Sequence, residues 1–329
     1  MSSDSSWSVS EFRLVTDREM LWVLGGVFAL LLVVTVVSQV LMRFVHEGPI
    51  RSTLENLAVR TRSFWLVAGL GTGALITGEA GAILLFFLIS LLALREFMTL
   101  APTRASDHRA MVWTFFVIAP LQYAMVAVHW YGFYSILIPV YVFLFIPSLN
   151  AIVGDSQHFL ERTATVQWGL MVCVYCLSHA PALLRLTIPG YVGESAKLLL
   201  FCVVVAQFSD FMQYVFGKAF GRRPIAPSIS PNKTWEGFVG GVATASLLGT
   251  ALWWITPFTP AAALGMSLVI CVMGFAGGLT MSAIKRDRGV KDFGQLLAGH
   301  GGVLDRVDSI CFSVPVFFHL VRFFYTRGS

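Results

Sequence analysis

A chain of 329 residues is long enough for two soluble domains, but 56% apolar against 12% charged residues and a mean hydropathy of +0.74 exclude an ordinary soluble protein. Apolar runs of roughly 20 residues place it instead among proteins that cross membranes. The formal net charge of +5 reads as a signal for membrane orientation and anion handling, since no basic arm or aromatic-basic repeat speaks for nucleic acid.

Taken in order, residues 1–20 form a polar N-terminal segment of mixed charge, and Leu21 to Met42 is a run long enough to span. It reads as a retained anchor: the run is too long for a signal peptide and no small-x-small cleavage site follows it. Arg43, Arg51, Arg60 and Arg62 come next, and Ile50, Leu54 and Leu57 share one helical face after Pro49. That pattern predicts a short cytoplasmic interfacial helix near 49–62.

Further spans are expected over Phe64 to Thr77, Ala80 to Leu94, Met111 to Trp130, Phe133 to Ser148, Gln167 to Leu184, Ala196 to Phe216, Phe238 to Ile255, Ala261 to Ile284 and Ile310 to Tyr325. The fold class is therefore all-α, a polytopic integral membrane protein of about nine to ten transmembrane helices. Two regions follow from this: N-terminal transmembrane helices over 21–194 and a C-terminal transmembrane region over 195–329, which holds the candidate catalytic residues taken up below.

Arg95, Arg104 and Arg109 mark one loop as cytoplasmic, whereas Glu79 and the turn from Leu186 to Glu194 carry little positive charge. Counting crossings from there puts the charged C-terminal segments on the cytoplasmic side of an inner membrane. The same count leaves Arg322 and Arg327 on the outer side, against the usual bias.

The N-terminal half offers few sites. Gly69-Leu-Gly71-Thr-Gly73 lacks a preceding strand and reads as small residues for helix contact. His129 and His179 lie near span ends, where interfacial or packed roles are ordinary. Cys173, Cys176, Cys202, Cys271 and Cys311 all sit in apolar runs and read as packing residues. Glu96, at the border after one span, is compatible with either an interfacial or a functional role.

The C-terminal half is different. Asp210 follows the apolar run from Leu198 to Phe208, and an ionisable group at that depth is costly unless it faces a cavity, a cation or water. The loop after it holds three prolines and brings together Arg222, Arg223, Lys233 and the hydroxyls of Ser230 and Thr234, apt donors for a nucleotide triphosphate. Pro231 in a first helical turn with Ser230 as cap is the competing structural account.

The stretch from Ser282 to Ser309 packs five cations (Lys285, Arg286, Arg288, Lys291, Arg306) and four carboxylates (Asp287, Asp292, Asp305, Asp308) around Gly299-His300-Gly301-Gly302. Asp305 and Asp308 fall on one face if the chain is helical there. Two carboxylates with substrate phosphates are the usual way to hold Mg2+. Gly301 and Gly302 let backbone N–H groups approach an anion at a helix start, and Lys285, Arg286 and Lys291 supply phosphate-binding charge. The combination reads as metal-assisted chemistry on a phosphate. The bland alternatives are border cations that orient the chain and Asp caps before the run at Ile310.

These residues carry a resemblance. Ser282-x-x-Lys285-Arg286, Lys291-Asp292, His300-Gly301-Gly302 and Asp305-Arg306-x-Asp308 resemble the signature of the phosphatidate cytidylyltransferase (CDP-diacylglycerol synthase) family of integral membrane enzymes. Asp210-x-x-x-Tyr214-x-x-Gly217, Gly221 and Ser230-Pro231-Asn232-Lys233-Thr234-Trp235-Glu236-Gly237 resemble its other motif region, and the family has a Glu in a setting similar to Glu96. The resemblance implies transfer of a cytidylyl group from CTP to phosphatidate or a related lipid phosphate, within membrane lipids and in a chain that is compatible with a homodimer.

It also implies roles. Asp305 and Asp308, with Asp292 and Asp210, would serve Mg2+. Lys233, Lys285, Arg286 and Arg306 would bind phosphates, and Ser230 and Thr234 would donate hydroxyls. Tyr214, Arg223, Ser282, Lys291, Gly301 and Gly302 would complete the substrate site, with His300 shaping the turn or touching phosphate. Two departures stand out: Gly277-Gly278 where the family commonly has Gly-Asp, so one potential metal carboxylate is missing, and Phe211-Met212-Gln213-Tyr214 where small residues precede Ala-Tyr. A divergent paralogue, a cytidylyltransferase or CTP-dependent kinase for another lipid, and a noncatalytic membrane subunit are the rival readings. A transporter is disfavoured, because the first half has almost no intramembrane charge.

Overall fold

The computed structural model describes residues 17–45, 47–101, 104–294 and 301–326. Among the described residues, ten helical stretches run between two ends: α1 (Arg18–Phe44), α2 (Pro49–Ile76), α3 (Gly78–Thr99), α4 (Ala105–Ala127), α5 (Tyr131–Val153), α6 (Phe159–Arg185), α7 (Ala196–Phe220), α8 (Trp235–Ala251), α9 (Pro260–Asp287) and α10 (Leu304–Tyr325). Among the described residues, eight of these are long and apolar enough to cross a membrane; α2 and α8 are the other two, α8 having 17 residues. Backbone bonds closed within each helix are what a hydrocarbon environment demands.

Two expectations are corrected. The amphipathic stretch at 49–62 is not a separate helix: α2 continues unbroken to Ile76, because no Gly or Pro interrupts the i to i−4 ladder between Ile50 and Gly69. Nor is Ser230 a helix cap with Pro231 in a first turn. Ser230–Thr234 is a strand (β2) paired antiparallel with Pro224–Ala226 (β1). Thr234 caps α8 instead, its Oγ1 accepting the Gly237 N–H at 3.2 Å.

Ion pairs on both sides fix the helix ends. At one end Lys197, 3% exposed in its side chain, meets Asp17 at 2.6 Å, Glu19 at 2.7 Å and Glu194 at 3.0 Å, pinning the start of α1 to α7. Arg185 pairs with Glu79 there and donates to the Ala127 carbonyl at 3.0 Å. His179 is fully buried at that end, ringed by Tyr134, Tyr175, Phe318 and His319, so of the two roles expected for it the structure shows packing.

At the opposite end, called here the motif end, Arg162 is buried. Its Nε lies 3.1 Å from Asp107 Oδ1 and its Nη1 2.7 Å from Asp155 Oδ2. It joins the α4 entry and the α5–α6 loop. Arg162→Ala, which removes the cation from the buried Asp107 carboxylate and leaves it the Arg104 N–H, is expected to cost about 3 kcal/mol, read as a lower thermal midpoint in detergent.

The Ser106 hydroxyl, the Gln157 N–H and Arg162 hold the Asp155 carboxyl down at about 2. A carboxyl depressed on folding adds stability above its ordinary value near ~3.9 and loses it as pH falls toward the native value. The thermal midpoint should therefore drop more steeply below roughly pH 4 in the native chain than in Asp155→Asn.

The C-terminal helices form the tightest packing. On α8, a Cβ at Gly237 would stand 2.8 Å from the Gln213 carbonyl oxygen, and one at Gly241 would stand 2.7 Å from the Gln213 nitrogen. This close approach holds α8 against α7 and hangs the β1–β2 hairpin over the motif end.

Candidate active site

The site is assembled where α3, α9 and α10 end together. Glu96, in the last turn of α3 and only 6% exposed, accepts the Val303 N–H on Oε1 and the Leu304 N–H on Oε2, both at 2.9 Å. The first N–H groups of a helix have no intrahelical partner, and a carboxylate satisfies them with favourable charge. The geometry gives Glu96 a third role beside the interfacial and functional ones expected for it: it is the anchor of α10. Its sequence signals are an acidic residue closing an apolar span and the resemblance to a family with a Glu in a similar setting.

Asp305, in the first turn of α10, organises the turn before it. Its Oδ1 accepts from Lys285 Nζ at 2.7 Å, with side-chain exposures of 13% for Lys285 and 8% for Asp305. Its Oδ2 accepts the N–H groups of Phe293 and Gly302, each at 2.9 Å. Gly301 adopts φ +79°, and a Cβ there would stand 2.9 Å from Asp305 Oδ2 and 3.3 Å from Asp292 Oδ1; glycine meets both the backbone and the space requirement. Asp292 and Asp305 thus converge on the bare face of Gly301.

Asp308 faces elsewhere, although it lies one turn along the same helix. Its Oδ1 accepts the Ser309 N–H at 2.8 Å. Its Oδ2 lies 3.6 Å from the position a Cβ would take on Gly278, and Lys233 Nζ lies 2.7 Å from that same position. The missing side chain at 278 is therefore the notch in which the Lys233 ammonium rests, 5.0 Å above the Phe275 ring. Burial pulls the Lys233 ammonium down from its ordinary value, opposed by the carboxylates of Asp308 and Asp210. Residues from β2, α7, α9 and α10 thereby meet in one electrostatic unit.

The remaining expected residues divide by what holds them. Arg286 donates to the carbonyls of Ile229 and Val290, each at 3.2 Å, so it ties the hairpin to the end of α9 while staying exposed. Ser282 Oγ donates to its own helix at the Gly278 carbonyl, 2.7 Å away, which directs its proton away from a ligand. Thr234 serves α8 as its cap, and Ser230 opens β2 half-buried. Arg223 is exposed, its N–H and that of Arg222 donating to Glu236 Oε2 at 3.2 and 3.0 Å. Lys291 and Asp292 are exposed, while Tyr214, Asp210 and Arg306 are half-buried. His300 lies outside the described residues.

Among the described residues, no three His, Cys, Asp or Glu side chains gather in a metal-holding group. The expected set of Asp210, Asp292, Asp305 and Asp308 is instead split between the Gly301 turn and the Lys233 notch. The split has a local cause: Asp305 spends its oxygens on Lys285 and two N–H groups, and Lys233 stands between Asp308 and Asp210 in charge.

Residues 58–324 match the profile of the Cytidylyltransferase family. The chain is 39% identical over 304 residues to the uncharacterized protein YnbB of Escherichia coli, covering 91% of this chain and 97% of that protein. It is 32% identical over 209 residues to the phosphatidate cytidylyltransferase of Haemophilus influenzae, covering 60% of this chain and 67% of that one. With the phosphatidate cytidylyltransferase of Staphylococcus aureus it shares 38% identity over 126 residues, 38% of this chain and 48% of that one. The family match takes in Glu96, both motif regions and every helix from α3 to α9, and on that extent the chain belongs to the cytidylyltransferase family.

Proposed function

We propose that this protein transfers a cytidylyl group from CTP to the phosphate of phosphatidate, releasing pyrophosphate and forming CDP-diacylglycerol at the cytoplasmic face of an inner membrane. The observation that carries this reading is the meeting of two distant motif regions at one membrane end: Lys233 and Asp308 face each other across Gly278, beside the Gly301-Gly302 turn that Asp305 and Glu96 hold. The motif end also carries Arg43, Arg51, Arg95, Arg104 and Arg109, which by the positive-inside tendency supports a cytoplasmic orientation.

In this reaction an oxygen of the lipid phosphate attacks the α-phosphorus of CTP. The bridging bond to the β-phosphate breaks, and pyrophosphate leaves with the electron pair. The attacking phosphate is already largely ionised near neutral pH, so no strong general base is needed. The protein must align the reactants and neutralise charge. Lys233, Arg223, Lys291 and Arg306, the last on the first turn of α10, would supply cations to the triphosphate, while Lys285 acts through Asp305 on the shape of the turn.

Mg2+ fits this donor set, because it is commonly bound by one or two carboxylates and completed by substrate phosphates. Asp308 and Asp210, the two carboxylates whose charge acts on Lys233, would hold the ion, and Asp292 is the further exposed carboxylate. The ion would neutralise charge on the phosphates.

The test is pyrophosphate release by the purified protein with CTP, with and without phosphatidate and Mg2+. Asp308→Asn is expected to lower lipid-dependent turnover by about a hundredfold or more while the thermal midpoint stays close to that of the native chain. A native protein that binds neither CTP nor phosphatidate would sink the assignment; one that binds both without turnover would show a noncatalytic relative.

A further inference from the structure

A cavity of about 390 Å³ opens at the motif end between α3, α6 and α9, beside the cluster described above and sharing Phe293 with it. Phe97, Leu100, Trp168, Ile284 and Phe293 form its apolar walls, with small residues such as Ala283 between them. Trp168 is 41% exposed, so the cavity opens sideways on the face of α6 that a bilayer would surround. Only its mouth is charged: Arg288 lies 3.5 Å from Glu161 on α6 and 3.3 Å from Asp287. An apolar body with one charged end suits an amphiphile, and its volume falls in the range of small-ligand sites.

Its inner wall is shared with the site. Phe293 is 3% exposed and stacks on Phe97 with ring centroids 6.2 Å apart. Its N–H is one of those held by Asp305, and Lys285 Nζ sits 5.4 Å from its ring centre. A chain lying in the cavity is thus one aromatic ring away from the ion pair that shapes the Gly301-Gly302 turn.

We infer that this cavity holds an acyl chain of the lipid phosphate substrate, and that Arg288 exchanges Glu161 for the incoming phosphate at the mouth. The inference rests on the proposed lipid substrate. The exchange is cheap, because a partly exposed pair at such a distance contributes little, whereas a guanidinium binds phosphate through a planar fork. Apolar burial then holds the chain while the headgroup turns toward Lys233 and Asp308.

The experiment uses the full chain in lipid nanodiscs with a phosphatidate bearing a photoactivatable group midway along one acyl chain, mapped by mass spectrometry. The expected result is labelling concentrated on 164–168 and 280–284, competed by unlabelled phosphatidate and not by phosphatidylcholine. In parallel, Ala283→Trp should lower the ratio of kcat/KM for long-chain over dihexanoyl phosphatidate at least tenfold. Labelling on other helix faces, or equal competition by phosphatidylcholine, overturns the inference, and the labelling arm needs no variant to fold. Failure of the cytidylyl-transfer reading looks different: groove labelling competed by phosphatidate would persist in a protein that neither binds nor turns over CTP.

Discussion

Glu96→Ala is expected to be among the most damaging single substitutions in the protein, lowering both stability and turnover. The buried carboxylate satisfies two backbone N–H groups at the start of α10, each at 2.9 Å. Alanine leaves both donors without a partner in a place that water reaches poorly. Each such group costs about 1–3 kcal/mol, and the lost charge at the helix start adds about 0.3–1 kcal/mol.

The damage should spread to the site. A Cβ on Gly294 would come within 2.6 Å of the Glu96 carboxylate, and Gly302 packs on it as closely, so both glycines lose the surface they rest on. Lipid-dependent pyrophosphate release is expected to fall by about a hundredfold, in line with misplacement of groups around a reacting centre. Glu96→Gln keeps one acceptor and should lie between alanine and the native chain in thermal midpoint. Unchanged midpoints for both variants would show that α10 is held by something else.

Asp305→Ala should separate sharply from a substitution at Asp308, although the two residues are one helical turn apart. Removing Asp305 leaves Lys285 as a poorly solvated ammonium and frees the N–H groups of Phe293 and Gly302. Breaking one side of a buried pair costs about 3–5 kcal/mol. A fall in thermal midpoint together with loss of turnover is therefore expected, whereas Asp308→Asn keeps an isosteric side chain and leaves Lys233 the charge of Asp210, so that loss of turnover should outweigh any fall in midpoint.

A double substitution tests the cause. Lys285→Met with Asp305→Leu exchanges the pair for apolar groups, which is often neutral or stabilising, so the midpoint should recover in part while turnover stays lost. If Asp305→Ala keeps the native midpoint but loses binding of Mn2+ used as a probe, the carboxylate serves a dication and not the turn.

Much of this was legible in residues close together in the chain. The apolar runs gave nearly all the helices, because a segment of roughly 20 apolar residues has few alternatives to crossing a membrane. The density of charge around Gly301-Gly302 marked the candidate site, and the spacing of Asp305 and Asp308 placed them on one helix. Local chemistry was less decisive where two caps competed: Ser230 and Thr234 are both good N-cap residues, and the hairpin pairing of Pro224 with Thr234 selected the second. The continuation of α2 through 49–62 was hidden because its amphipathic stretch has the same composition as a surface helix.

What the sequence by itself determined was the class of the protein, the stretch in which its candidate site lies and the residue types gathered there. Tertiary structure alone decided which partners those residues take. Glu96 reaches Val303 across 207 positions, Lys233 finds its notch only because Gly278 lies opposite, and Asp305 turns to Lys285 while Asp308 does not. The reason is physical: hydropathy and periodicity are short-range properties, and in a membrane protein the faces toward lipid and toward neighbouring helices are both apolar. Many helix arrangements satisfy the same pattern, and only close packing at small residues and the pairing of buried charges selects one.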